Sequence, residues 1–199
     1  MPLGSNHFPR AILFDMDGTL TEPMLDFPRI KADMGIGDGP ILESLAQLDG
    51  ARRRHAQAIL LRHEELAAEK STLNAGCRDL LDWLAAEKIP VALVTRNSRQ
   101  SADTVIRRHG LQITVRITRD DGLFKPSPAP LHLACRRLGI ESADAWMVGD
   151  GQYDVESASA ANIRSIWISH GKPRHFEAEP WMTVLNLSEI VEILKRNRG

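Results

Sequence analysis

Five short apolar runs, separated by stretches with helical spacing, constrain the fold of this 199-residue chain more than any other feature. They are residues 10–15 (RAILFD), 90–95 (PVALVT), 113–117 (ITVRI), 145–150 (AWMVGD) and 163–168 (IRSIWI). Unbroken apolar character suits strands covered on both faces, the condition of a parallel sheet. The intervening stretches carry apolar stripes at i, i+3, i+4 and i+7: Cys77, Leu80, Leu81 and Leu84 form one, and Leu131, Ala134, Cys135 and Leu138 another. A third stripe, Ala102, Val105 and Ile106, lies in a helix expected to start near Ser98 and stop at Gly110. Ser127, Pro128 and Gly139 punctuate the helix of the second stripe as cap, first turn and terminator. Strand and helix in strict alternation predict an α/β protein with a doubly wound parallel sheet.

One segment breaks the alternation. Residues 22–74 have helical patterning without a convincing strand, and a helix over residues 51–70 dominates them. The chain therefore divides into an α/β core, 8–21 with 75–199, and a small inserted α-helical cap, 22–74. The glycine-bearing stretch 34–40 (MGIGDGP) is expected to be a hinge or flexible tip within the insertion. It lacks the GxGxxG spacing and the preceding strand of a dinucleotide-binding turn.

Composition matters mainly for what it excludes. A formal charge of -1 supplies no general attraction for nucleic acid or anionic lipid, so an anionic partner must be held locally. Cys77 and Cys135 are the two cysteines, without CxxC spacing, which argues against a disulfide framework or thiolate metal site. No apolar run approaches the roughly 20 residues that span a bilayer, and a signal-peptide pattern is missing, so a cytoplasmic location is the default expectation. Residues 2–5 (PLGS) resemble a cloning scar and carry no weight in the fold reading.

In an open α/β sheet the loops beyond the carboxyl ends of the strands converge on ligands. The first strand delivers Asp15, Asp17, Gly18 and Thr19 to that end; the second delivers Thr95 and Asn97; the fourth delivers Asp150, with Asp154 following. Lys125 precedes the helix begun near Ser127 and reaches the same face. Any one acidic pair is weak evidence in a chain with 26 acids. Acids after two separate apolar strands, with a threonine and a lysine at other loop positions, are much less expected by chance.

Taken in order, Asp15-Met16-Asp17-Gly18-Thr19-Leu20, Thr95, Lys125 and Gly149-Asp150-Gly151-Gln152-Tyr153-Asp154 resemble the four motifs of the haloacid dehalogenase superfamily. The resemblance spans most of the chain. The insertion and residues 124–128 (FKPSP) are similar to the phosphoglycolate-phosphatase-like branch with a helical cap. It implies a Rossmann-like core and a magnesium-dependent phosphatase acting on a small phosphorylated metabolite. It also implies that Mg2+ is bound by the Asp15 side chain, the Asp17 backbone carbonyl and the Asp150 side chain, with Asp154 supporting the ion's waters or Lys125.

A carboxylate such as Asp15 attacks phosphorus in line once cations mask the charges, leaving an aspartyl phosphate. Asp17 then serves as acid for the departing alkoxide and base for water. Thr95 binds the transferring phosphoryl oxygens, and Lys125 neutralises charge. Asn97 is expected to orient Asp15 or a substrate oxygen. The acid at Asp17 separates the chain from dehalogenases, because halide departs without a proton. A phosphomutase returning the phosphoryl group to a sugar hydroxyl is the enzyme alternative, and a non-catalytic binding protein on the same scaffold is the other.

Several residues carry competing readings. Arg52, Arg53 and Arg54 either contact substrate or form a solvated face, and successive helical positions turn about 100°, so all three cannot point at one site. Arg96 either touches phosphate or faces outward. The seven histidines show no paired metal-ligand spacing. Trp83, Trp146 and Trp167 read as core, and Trp181 as cover for a sheet edge or the last helix.

Overall fold

The computed structural model describes residues 8–196; residues 2–5, read above as a scar, lie outside them. The chain starts with β1 (Ala11–Phe14) and then three helices, α1 (Phe27–Met34), α2 (Ile41–Gln47) and α3 (Gly50–Lys70). There follow α4 (Cys77–Ala86), β2 (Val91–Val94), α5 (Arg99–His109), β3 (Val115–Ile117) and α6 (Ala129–Leu138). The rest is β4 (Ala145–Gly149), α7 (Gln152–Ala160), β5 (Arg164–Ile168), β6 (Met182–Val184) and α8 (Leu187–Arg196).

The six strands form one sheet in the order β3-β2-β1-β4-β5-β6, every pairing parallel. Alternate residues of a strand point to opposite faces. Ile12 and Phe14 accordingly pack with Leu93, Trp146 and Val148 beneath α4, α5 and α8. Leu13, Ala92, Val94 and Met147 pack on the other face with Leu131, Ala134 and Cys135 of α6 and Ala158 of α7. Each fully buried leucine or isoleucine contributes about 1.5–3 kcal/mol relative to exposure, so both coats hold the sheet as a firm platform. Helices on both faces make the sheet doubly wound, as the alternation predicts.

The order reverses at β1, whose neighbours β2 and β4 are reached by connections running in opposite directions. Loops leaving β1 and β4 therefore diverge and leave a crevice between them. The Asp15 N–H donates to the Val148 carbonyl at 2.9 Å, which places the first acid on the crevice floor.

Helices α1 to α3 bury a separate apolar cluster of Ile30, Met34, Ile41, Leu42, Leu45, Ala56 and Leu60. Local chemistry sets their ends: Asp26 accepts the Arg29 N–H at 3.0 Å and Asp49 accepts the Arg52 N–H at 2.9 Å. The stretch 34–40 starts later as a loop than its glycines suggest. Met34 is buried as the last residue of α1, and Gly35, at φ 66°, ends that helix in the left-handed region.

Other details differ from expectation. Helix α6 begins at Ala129 with Pro128 as its N-cap, although the Ser127 hydroxyl accepts the Ala129 N–H at 3.2 Å. Strand β6 carries no readable signal, being three residues on the sheet edge after Pro180. Trp146 and Trp167 are buried and Trp83 packs on the core, while Trp181 lies 5.1 Å from Trp146 between ring centroids. Among the described residues, no helix is long and apolar enough to cross a membrane.

Candidate active site

All seven candidate residues line one cavity of about 500 Å³ at the carboxyl end of the sheet. Asp15 and Asp17 sit just beyond β1, Thr95 and Asn97 beyond β2, Asp150 beyond β4, and Asp154 in the first turn of α7. Lys125 enters from the loop before α6.

The acids are gathered tightly. One oxygen each from Asp15, Asp150 and Asp154 lies within 4.8 Å of the other two. Lys125 is almost completely buried, and its Nζ donates to Asp15 Oδ1 at 2.6 Å and to Asp154 Oδ1. Asp154 Oδ2 accepts the Gly151 N–H at 3.0 Å, and Asp150 Oδ1 accepts the Thr19 hydroxyl at 3.0 Å. Asp154 is therefore engaged by the lysine and by its own helix terminus, whereas Asp150 meets only a neutral donor.

Electrostatics follow this arrangement. Burial raises Asp15 to about 7, with Lys125 opposing and Asp154 and Asp150 adding to the rise. Burial and the neighbouring Asp154 bring Asp150 to about 7 as well, against the Thr19 hydrogen bond. For Lys125, burial disfavours the ammonium, but Asp15 and Asp154 outweigh it and its pKa is raised. Crowded oxygen donors held partly protonated by burial suit a hard divalent cation, which would relieve their repulsion.

Asp17 stands apart from that trio. Its Oδ1 accepts the Met24 N–H at 3.1 Å, and burial raises its pKa to about 6 despite amide hydrogen bonds from Met24 and Leu25. A carboxyl poised there exchanges a proton near neutrality. Thr95 is buried and its hydroxyl accepts the Asn97 N–H at 3.1 Å, which fixes the turn carrying both.

Supporting residues escaped the sequence reading. Asn74 Nδ2 donates to the carbonyls of Gly18, Thr19 and Thr21 at 3.0, 2.8 and 2.8 Å, and His170 Nε2 lies 2.7 Å from the Gly18 carbonyl. Trp167 Nε1 donates to the Asp150 carbonyl at 2.9 Å. Glu64 is buried in α3 on one stripe with Ala56, Leu60 and Ala68. It accepts the Ser98 N–H at 3.1 Å and pairs with Arg119, and burial raises its pKa against that pairing. A lone glutamate at four-residue spacing among small apolar residues was the readable signal.

The remaining arginines and the histidines resolve clearly. Arg52 pairs with Asp49, Arg53 donates to the carbonyls of Ala46 and Leu48, and all three neighbours 52–54 are exposed and absent from the cavity wall. Arg96 does line the cavity and pairs with Glu43 of α2, which rules against the outward-facing reading. His63, His109 and His132 meet Asp33, Ser71 and Ser142, and none joins the acid trio.

Comparison with known proteins agrees with this geometry. Residues 27–162 match the family model of the haloacid dehalogenase-like hydrolases. A phosphoglycolate phosphatase from Chromobacterium violaceum is 30% identical, with 94% of this chain and 96% of that protein covered. An N-acetylmuramic acid 6-phosphate phosphatase from Pseudomonas aeruginosa is 28% identical over 94% of this chain and 95% of its own. A hydrolase structure from Pseudomonas syringae superposes with a TM-score of 0.80 over 93% of this chain and 97% of that one, at 17% identity, a likeness of fold. With its acid trio and buried lysine at the switch point of a doubly wound sheet, the chain belongs to the haloacid dehalogenase-like hydrolases, and within them it is a phosphatase.

Proposed function

We propose that the chain hydrolyses a small phosphate monoester by attack of Asp15 on phosphorus, with Asp17 as acid and base and Mg2+ as cofactor. The observation that carries this reading is Lys125 Nζ shared between Asp15 and Asp154, with Asp150 in the same 4.8 Å group of carboxylate oxygens. One cation already faces the attacking carboxylate, and an acid outside the trio is free for proton transfer.

Asp15, Asp150 and the Asp17 carbonyl would hold the ion, which when bound masks negative charge on phosphate and nucleophile. Asp154 serves as the support that fixes Lys125. In the first half-reaction an Asp15 oxygen bonds to phosphorus as the ester P–O bond breaks, and Asp17 gives its proton to the departing alkoxide. In the second, Asp17 takes a proton from water as the water oxygen bonds to phosphorus and Asp15 is released. Atoms balance as ester plus water to alcohol plus phosphate. Thr95, Asn97 and Lys125 bind the phosphoryl oxygens throughout.

Residues 22–74 act as a cap on a core of 8–21 with 75–199. Leu25, Phe27, Ile41, Leu42 and Leu60 from residues 22–74 contribute to the apolar part of the cavity wall, and about 500 Å³ suits a small metabolite. The named activities of the relatives make phosphoglycolate and sugar phosphates bearing a carboxylate the first substrates to try. Two buried, unpaired cysteines agree with a cytoplasmic setting.

Phosphate release from a panel of phosphorylated metabolites, with and without Mg2+, tests the reading. Turnover should require the ion and vanish in Asp15→Asn with the fold intact by circular dichroism. Wild-type rates in that folded variant overturn the nucleophile assignment.

A further inference from the structure

One guanidinium ties four elements together at the edge of the site. Arg96 Nη2 lies 2.8 and 3.1 Å from the two oxygens of Glu43, on α2, and Nη1 lies 3.2 Å from Oε1. Nη1 also donates to the carbonyl oxygen of Lys125. The Arg96 side-chain carbon Cζ stands 5.2 Å from the Phe124 ring centroid and 4.5 Å from that of Tyr153. Glu43 belongs to the inserted helices, Arg96 follows Thr95, Phe124 precedes Lys125, and Tyr153 precedes Asp154. The guanidinium, carried by the loop after β2, thus touches the loop of Lys125, the first turn of α7 and the insertion.

We infer that Glu43 and Arg96 form a positioning pair through which the inserted helices set the placement of Lys125 against Asp15 and Asp154. This deepens the hydrolase reading and rests on it for the role of Lys125. The Glu43 side chain is 37% exposed, so the ion pair is too wet to be explained as a source of stability. What it supplies is geometry. A planar fork gripped by a carboxylate on one edge, flanked by two aromatic rings and bonded to the lysine's own carbonyl holds that residue in one place. Lys125 has few alternatives, being buried with both ammonium contacts on acids. Movement of its backbone transfers directly to the distance between Nζ and Asp15.

The competing role for Arg96 is direct recognition of an anionic group on the leaving portion of the substrate. The two roles make opposite demands on Glu43. A positioning pair needs the carboxylate. A substrate-binding arginine is freed when Glu43 loses its charge.

The test uses the full chain with p-nitrophenyl phosphate, whose aryl portion bears no ionised group in the bound ester, and compares E43Q, R96Q, R96K and the E43Q/R96Q double variant, each checked for its thermal midpoint. Positioning predicts that either glutamine variant lowers kcat about tenfold with KM within about twofold, because misplacing a group that supports the transition state costs rate. R96K behaves like R96Q, since lysine lacks the fork, and the double variant is no worse than either single one. Wild-type kcat in E43Q, multiplying losses in the double variant, or a raised KM with unchanged kcat in R96Q each overturns the pair. Orthovanadate binding by titration calorimetry in the presence of Mg2+ reads the same coupling without turnover. A wild type that releases no phosphate from any ester, while E43Q and R96Q weaken vanadate equally, sinks the hydrolase reading and leaves the pair standing.

Discussion

Gly18 and Asp150 are 132 residues apart in the chain, yet a Cβ added at Gly18 would stand 2.2 Å from Asp150 Oδ2. Gly18 also has φ +84°, in the left-handed region that side chains avoid. The turn after β1 and the end of β4 are therefore packed to the point where only hydrogen fits between them. That contact, more than the acidic motif alone, brings Asp150 toward Asp15.

Gly18→Ala should accordingly displace the Asp150 carboxylate. The left-handed backbone adds about 1–2 kcal/mol of strain for a residue with Cβ. We expect kcat/KM to fall about a hundredfold or more, the scale for a catalytic group moved by an ångström, together with a raised Mg2+ requirement. Phosphate release measured across a Mg2+ titration checks it. A folded Gly18→Ala protein with wild-type Mg2+ dependence would show that the turn relaxes without moving Asp150.

Asp17→Asn separates proton transfer from charge masking. Asparagine can still accept the Met24 amide, so the local turn survives. Alkyl phosphates, whose alkoxides need a proton, should lose about 10²–10⁴ in kcat. p-Nitrophenyl phosphate, with a stable leaving anion, should lose much less in the first half-reaction. Equal losses on both substrates would remove Asp17 from the role of acid.

The sheet and its acids were legible because each rests on local pattern. Residues 10–15 and 145–150 show strand and acid together, and the stripe Cys77, Leu80, Leu81 and Leu84 is buried as its spacing predicts. Strand β6 was not, since three residues on an edge pair with one neighbour and need no apolar run. The links between the inserted helices and the rest were also hidden. Glu43 meets Arg96 and Glu64 meets Arg119 across 53 and 55 residues, and nothing in local spacing announces which arginine finds which glutamate. Arg96 looked ambiguous for that reason: its direction is decided by a carboxylate on another helix and by Phe124 and Tyr153.

Glu64 and Arg119 offer a stability test at the wall of the same cavity, where Glu64 also faces Asp17 electrostatically. Their side chains are 2% and 14% exposed, so removal of one partner leaves the other charged in a poorly solvated place. Arg119→Ala should lower the unfolding free energy by about 3–5 kcal/mol in urea titrations. Replacing both residues by apolar ones of similar size should cost less than the single change. If Arg119→Ala costs under about 1 kcal/mol, the pair is hydrated in solution and does not anchor α3.

The pH dependence of stability should reverse with metal. Asp15 and Asp150 both rise from the ordinary 3.8 to about 7 in the folded chain. Between those values the native state binds more protons than the unfolded one, so stability falls as pH rises, most steeply between them, and the loss is completed as pH passes above 7. Asp17, raised to about 6, acts in the same direction. His109 is lowered by burial and works the opposite way: its unfolded form is half protonated at the ordinary 6.5, so it offsets a minor part of the loss between pH 6.5 and pH 8.0. Without metal, the thermal midpoint should drop by about 3 °C or more over that interval, given about 2–4 °C per kcal/mol for a domain of this size. Asp150→Asn should flatten the drop by removing one titrating group. Saturating Mg2+ should raise the midpoint more at pH 8.0 than at pH 6.5, because the ion binds the ionised carboxylates and competes with their protons. A midpoint that rises with pH in the metal-free protein, or a Mg2+ effect independent of pH, would show that these acids are already ionised at neutrality and that the trio is not held in wait for a cation.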